Sequence, residues 1–174
     1  MKTMVNILSK LLFIFFMPAC FASSVDVVFI PKIYLSHSSL VPLELTIDER
    51  AVEFDHYSEP LSAYHIFSSL TRTGFWMFFK EVNGEKFYIT GLDVYSDLKT
   101  FRGVDPATIT DLGTLLNDPR TFVQVNFSEN GSYYLNTSSN GYLALDCSDP
   151  SNYPYPAILV SNLEDASVMF TTFN

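Results

Sequence analysis

Positive charge is scarce in this sequence. Lysine and arginine number 10 against 19 acidic residues, a formal net charge of −9. Two of the ten, Lys2 and Lys10, lie in a leader-like start without acids, so residues 23–174 carry 8 basic and 19 acidic side chains, a net of −11. A nucleic-acid binder needs a basic face to displace counterions from phosphates, so no nucleic-acid partner is expected. Anionic lipid head groups are disfavoured on the same ground.

Cysteine is nearly absent too, with Cys20 and Cys147 alone. If Cys20 leaves with the leader, Cys147 has no partner for an internal disulfide, and a packed core must hold the fold. Burial of Cys147 as a small apolar group is the expectation, with an exposed thiol as the alternative. Long apolar runs are also missing. The stretch Leu11–Met17 is too short for a spanning helix, which needs ~20 residues. No integral membrane contact is expected.

Catalytic signatures are lacking as well. The sequence has no Gly-x-Ser-x-Gly elbow, no His-Glu-x-x-His, no Gly-x-Gly-x-x-Gly and no Walker-type loop. His37, His56 and His65 have no metal-ligand spacing. Asp55-His56 would be an acid–base pair only if both side chains met on one face, and neighbours on a strand point to opposite faces. Asp146, Ser148, Asp149 and Asn152 offer oxygens without the spacing of a calcium loop, and read as turn residues. The expectation is therefore no catalytic residues, no metal and no cofactor.

The start is informative. Lys2 and Lys10, the run Leu11–Met17, Pro18, and the small-x-small pair Cys20 and Ala22 have the order of a secretion signal cleaved after Ala22. Residues 1–22 are read as that signal and 23–174 as one domain, secreted or periplasmic. Lipidation at Cys20 is the less favoured alternative, because of Met17-Pro18-Ala19 only Ala19 suits a lipobox.

Aromatic residues are plentiful: 16 Phe, 10 Tyr and one Trp. Residues 25–30, 75–79, 87–89, 122–127, 142–145 and 168–173 alternate or form short β-branched and aromatic runs, which predicts strands. Asn83-Gly84, Asn130-Gly131 and Asn140-Gly141 suit tight hairpins because both residues tolerate positive φ. One helical segment is predicted over 105–117, capped by Asp105, opened by Pro106 and carrying Ile109, Leu112, Leu115 and Leu116 on one face. Residues 61–70 fit a helix or a strand. The run Gly74–Phe79, including Trp76, reads as core.

A weak repeat runs through the chain. Ile33-Tyr34-Leu35, Phe87-Tyr88-Ile89 and Tyr133-Tyr134-Leu135 share a pattern, with the tyrosines 54 and 46 residues apart and Leu43, Leu98 and Leu143 nine or ten residues further on. Residues 64–70, 122–127 and 168–173 close the three units. The helical segment falls in the shorter interval, where a simple insertion would have lengthened it. Three units of about 50 residues that share one core resemble a β-trefoil. Residues 130–145, NGSYYLNTSSNGYLAL, are similar to the strand pair of fascin-like trefoils. The resemblance implies an all-β fold, a β-trefoil-like small barrel of three repeats with one short helical segment; a β-sandwich or another small barrel is the alternative. Ricin-type lectin trefoils carry Gln-x-Trp, but Gly74 stands in the Gln place before Trp76, so their sugar-binding residues have no counterpart here.

The segment 146–156, DCSDPSNYPYP, is the candidate recognition loop. Tyr153 and Tyr155 each precede proline, which keeps the backbone extended and lowers the entropy lost on binding. A tyrosine offers a flat apolar face with a polar tip, and Asp146, Asp149 and Asn152 supply groups for hydroxyls. Packing of both tyrosines under the loop is the competing reading. Asn126, Asn130 and Asn136 each begin an Asn-x-Ser/Thr sequon, a composition that turns also favour. The functional expectation is an exported, lectin-like, carbohydrate-binding or protein-binding module, alone or as a subunit of an exported complex. A secreted hydrolase (protease) inhibitor is the alternative, and an enzyme with a dispersed site the third.

Overall fold

The computed structural model describes residues 25–38, 43–56, 58–68, 73–106, 109, 111–126, 132–137 and 141–173. The expected leader with Cys20, the Asn130-Gly131 turn and most of the sequon cluster lie outside them. The protein is all-β with one short helix. Its strands are β1 (Val25–His37), β2 (Leu43–Asp48), β3 (Ala51–Asp55), β4 (Leu61–Ser68), β5 (Gly74–Val82), β6 (Glu85–Thr90), β7 (Lys99–Arg102), β8 (Phe122–Asn126), β9 (Tyr133–Thr137), β10 (Tyr142–Leu145), β11 (Tyr155–Val160) and β12 (Met169–Phe173).

The antiparallel pairings close on themselves. β1 pairs β4, β4 pairs β5, β5 pairs β8, β8 pairs β9, β9 pairs β12, and β12 returns to β1. The other six strands form hairpins: β2–β3, β6–β7 and β10–β11. These hairpins also touch one another. Ala51 on β3 pairs Lys99 on β7, Tyr155 on β11 pairs Phe54 on β3, and Asp97 bridges to Ile158. Closure removes exposed sheet edges, which are sites of aggregation.

Asn83 and Gly84 turn the β5–β6 hairpin with φ of 54° and 79°, the left-handed conformation their types permit. The ambiguous stretch 61–70 holds strand β4, because Ala63, Tyr64 and Ile66 bury on the two faces of a ladder between β1 and β5.

One apolar cluster draws on all six ring strands, with Ile33, Leu35, Leu61, Trp76, Phe78, Phe122, Tyr133, Leu135 and Met169 all buried. A second lies on the other face of β4 and β5, built from Tyr64, Ile66, Phe75, Met77, Phe79, Tyr88, Ile109 and Leu115. Strand β5 is thus buried on both faces, which is why its sequence is a continuous apolar run. At roughly 1.5–3 kcal/mol per buried large side chain, these aromatics stabilise a fold with no internal disulfide.

The second cluster is completed by Ile109, Leu112 and Leu115 from the chain between β7 and β8. The helix there, α1, spans only Leu112–Asn117. The predicted start at Asp105 is corrected to Asp111, whose carboxylate accepts the Thr114 N–H at 2.8 Å and the Thr114 hydroxyl at 2.7 Å. Asp105 is engaged elsewhere, by Lys86 Nζ at 2.5 Å and the Tyr88 hydroxyl at 3.2 Å. Leu115 is buried but Leu116 is exposed, so the apolar stripe is narrower than predicted. Burial of Cys147 is corrected too. It follows β10 in the loop to β11 and is exposed.

The sequence repeat is only partly in register with the strands. Tyr34 and Tyr134 lie on ring strands β1 and β9 and are half-buried, each between two buried residues. Tyr88 lies on hairpin strand β6 and is fully buried. The stretches 64–70, 122–127 and 168–173, expected to close three units, overlap β4, β8 and β12, all of them ring strands.

Candidate functional site

The candidate loop connects β10 to β11 and closes at its base where the Asp146 N–H donates to the Pro156 carbonyl at 2.9 Å. Within it, Asp146 accepts the Ser148 N–H at 3.0 Å. Asp149 accepts the Ser151 N–H at 2.9 Å and the Ser151 hydroxyl at 2.7 Å. These bonds hold both carboxyls below their ordinary pKa values. Asp149 also caps a 3₁₀ turn, Pro150–Asn152, in which the Asn152 N–H returns to the Asp149 carbonyl at 3.0 Å. Asp146 and Asp149 therefore stiffen the loop through their own backbone, and Asn152 sits exposed at its crest.

The two tyrosines divide the roles considered for them. Tyr155 is half-buried and packs against the main cluster, as Leu145 and Ile30 also do. Tyr153 is 43% exposed. Its phenol donates to the Asp55 carboxylate at the end of β3, and the His56 N–H donates to the phenol oxygen at 3.2 Å. The same N–H lies 2.5 Å from Asp55 Oδ1. The rings of His56 and Tyr155 flank Tyr153 with centroids at 5.4 and 5.7 Å, the first tilted by 32° and the second edge-on at 82°. Tyr153 is exposed yet fixed.

Two further carboxylates lie on the strands beside Asp55. Glu44 pairs with Asp55 across β2 and β3 and accepts the Ser58 hydroxyl at 2.6 Å. Glu53 faces Pro156, and its pKa is raised by burial and then by Asp48 and Asp55. A tyrosine ring and histidine ring rimmed by carboxylates suit a sugar, whose apolar face stacks while its hydroxyls donate to the acids. Among the described residues no group of three His, Cys, Asp or Glu is placed to hold a metal. No helix among them is long and apolar enough to cross a membrane.

No family model and no curated protein sequence matches this chain. The site must be read from its own chemistry.

Asp55 and His56 are the residues that sequence reasoning left out of the site. Their contact with Tyr153 spans 98 and 97 residues, and the only local sign was an acid next to a histidine at a strand end. Trp76 is buried as expected and shares the ring with His65. The two rings stack at 4.2 Å and 19°, and the Trp76 indole donates to Gln124 Oε1 at 2.9 Å. Burial keeps the His65 pKa below its ordinary 6.5. The indole faces inward and is not part of the recognition surface.

Proposed function

We propose that this chain is an exported β-trefoil-like binding module whose Tyr153 surface recognises a glycan. The observation that carries the reading is Tyr153 itself: an exposed ring locked by Asp55 and His56, so that little side-chain entropy is lost when a ligand stacks on it.

The trefoil part is supported by strand numbering. Ring strands β1, β4, β5, β8, β9 and β12, with a hairpin inserted after β1, β5 and β9, divide the chain into three four-strand units. Ile33 and Leu35, Trp76 and Phe78, and Tyr133 and Leu135 are then matching pairs, all in the main cluster. On this register Met77 replaces Tyr88 as the counterpart of Tyr34 and Tyr134. The intervals become 43 residues (34 to 77) and 57 residues (77 to 134), and α1 falls in the longer one, as an insertion should. Export is supported by the leader-like first 22 residues, and the secreted or periplasmic form is preferred to an anchor at Cys20.

A glycan array probed with the protein and with Tyr153→Ala tests the function. Glycan binding that is lost in the variant, with a melting temperature lowered by no more than about 2–4 °C, supports it. Absence of any glycan bound, or binding indifferent to Tyr153, overturns it. The stiffness conferred by Asp146 and Asp149 also suits a secreted hydrolase inhibitor, and titration against a protease panel separates that reading.

A further inference from the structure

The few cations of this acidic chain are not scattered. Of the seven described lysines and arginines, Lys32 alone stands apart, whereas Arg50, Lys80, Lys86, Lys99, Arg102 and Arg120 line adjoining concavities around the β6–β7 hairpin. Three of the six are neutralised in place: Lys80 by Glu59 at 2.9 Å, Lys86 by Asp105 at 2.5 Å and Arg120 by Asp118 at 2.6 Å. Arg102 meets Glu85 at 3.0 Å, but both side chains are largely exposed, so that pair is weak and exchangeable. Arg50 and Lys99 take part in no ion pair among the described residues.

These three available cations line one groove along β7, where strand alternation puts Arg102 with Phe87 on one face and Lys99 with Phe101 on the other. A cavity of about 460 Å³ is lined by Arg50, Phe87, Lys99, Thr100, Phe101 and Arg102. The backbone fixes their spacing, since Ala51 pairs Lys99 and the Thr100 N–H donates to the Arg50 carbonyl at 3.3 Å. The Arg102 guanidinium lies 5.7 Å over the Phe87 ring, a cation–π contact that holds it beside the groove. Phe101 is 51% exposed, and a larger apolar cleft with Leu92 and Val104 continues from it toward Arg120. Glu49 stands next to Arg50 and Glu85 next to Arg102, the carboxylates at the rim.

We propose that this groove binds an acidic peptide segment of a partner protein lying along β7, with an apolar side chain against Phe101 and carboxylates on Lys99 of that face and on Arg50 and Arg102 across the strand. Guanidinium and ammonium groups make charge-assisted hydrogen bonds to carboxylates, and a positive patch on a negative molecule steers an anionic partner to one orientation. A long polyanionic glycan is a poorer fit. It has no apolar side chain for Phe101, and the acidic surface beyond the groove repels whatever overhangs it. The groove is also separate from the Tyr153 surface. Arg50 and Asp55 flank or end β3 at its two extremities, roughly 16 Å apart at 3.3 Å per residue.

The test is fluorescence anisotropy with a labelled Glu-Glu-Phe-Glu-Asp peptide and a Lys-Lys-Phe-Lys-Lys control. The acidic peptide binds, the basic one does not, and Arg50→Gln with Lys99→Gln weakens binding by about tenfold. Raising salt from about 50 to 300 mM weakens it further, as expected for exposed charges. Tyr153→Ala leaves this binding unchanged, which keeps its outcome distinct from that of the glycan reading. Amide shift perturbations at Arg50 and Lys99–Gly103 in the unsubstituted protein give a readout independent of variant folding. The proposal is overturned by absence of binding at millimolar peptide, by binding undiminished in the double variant, or by a heparin oligosaccharide that displaces the peptide with higher affinity.

Discussion

The phenol of Tyr153 donates to the carboxylate of Asp55, joining a loop crest to a strand end 98 residues away in the chain. The bond turns a surface side chain into a fixed platform. Its energetic and functional contributions can be separated by substitution. Tyr153→Phe keeps the ring but loses the bonds to Asp55 and His56, and should cost about 1 kcal/mol of stability, measured by urea denaturation. Tyr153→Ala should abolish glycan retention while lowering the melting temperature by only about 2–4 °C. A glycan-binding Tyr153→Ala protein would show that the platform is structural alone.

Trp76 is the single tryptophan and stacks on His65 at 4.2 Å, so its fluorescence reports on one histidine. Burial lowers the His65 pKa from 6.5, and that of His37 likewise. A histidine with a depressed folded pKa binds its proton more readily when unfolded. Stability is then full above 6.5 and falls as the pH drops toward the folded values, by at most about 1.4 kcal/mol per pH unit for each histidine. Tryptophan emission of the native protein should titrate with a midpoint below 6.5 and lose that transition in His65→Gln. A midpoint above 6.5 would contradict the stacked, desolvated environment.

Lys86 on β6 ties down Asp105, which precedes Ile109 of the second cluster in the chain. The Lys86 hydrogen bond holds the Asp105 carboxyl below its ordinary 3.8. Burial opposes the Lys86 charge, but hydrogen bonds to Asp105 and Tyr64 outweigh it and raise its pKa above 10.5. The carboxylate contribution is present above 3.8 and lost as pH falls through the lower folded value. The ammonium contribution is present below 10.5 and lost as pH rises through the higher one. Asp105→Asn should cost about 1 kcal/mol at neutral pH, because the pair is partly solvated, and progressively less below pH 3.8. Chemical denaturation across pH checks this.

Leu35, Phe78 and Leu135 occupy matching positions if the three-unit register holds. Each is essentially fully buried, so truncation to alanine leaves a cavity that the closed ring cannot collapse. Leu35→Ala and Leu135→Ala should each cost about 2–5 kcal/mol, and Phe78→Ala about 3–5 kcal/mol. A near-neutral effect at one of them, seen by calorimetry, would show that the units contribute unequally to the core.

Much of the fold was legible because the relevant forces are local. The run Phe75–Phe79 announced a strand buried on both faces, and Asn83-Gly84 announced its hairpin through permitted positive φ. Residues 64–70, 122–127 and 168–173, read as apolar strand-like stretches, overlap ring strands β4, β8 and β12. The Tyr34, Tyr88 and Tyr134 pattern joins unlike strands because a Tyr between apolar residues occurs on hairpin strand β6 as well as on ring strands β1 and β9, and pattern alone does not say which strand pairs with which. The helix began six residues late because Asp105 was taken by Lys86, a partner 19 residues away.

Composition and periodicity alone determined a β-rich, acidic chain that must cohere through aromatic burial, since charge balance, cysteine count and residue alternation are properties of the string itself. The candidate loop was also visible there, as tyrosines stiffened by prolines. Only the tertiary structure decided that Tyr153 faces outward on Asp55 while Tyr155 packs inward, and that Arg50, Lys99 and Arg102 share one groove. Contacts between residues tens of positions apart arise when a closed sheet brings its hairpins together, and no local pattern encodes that closure.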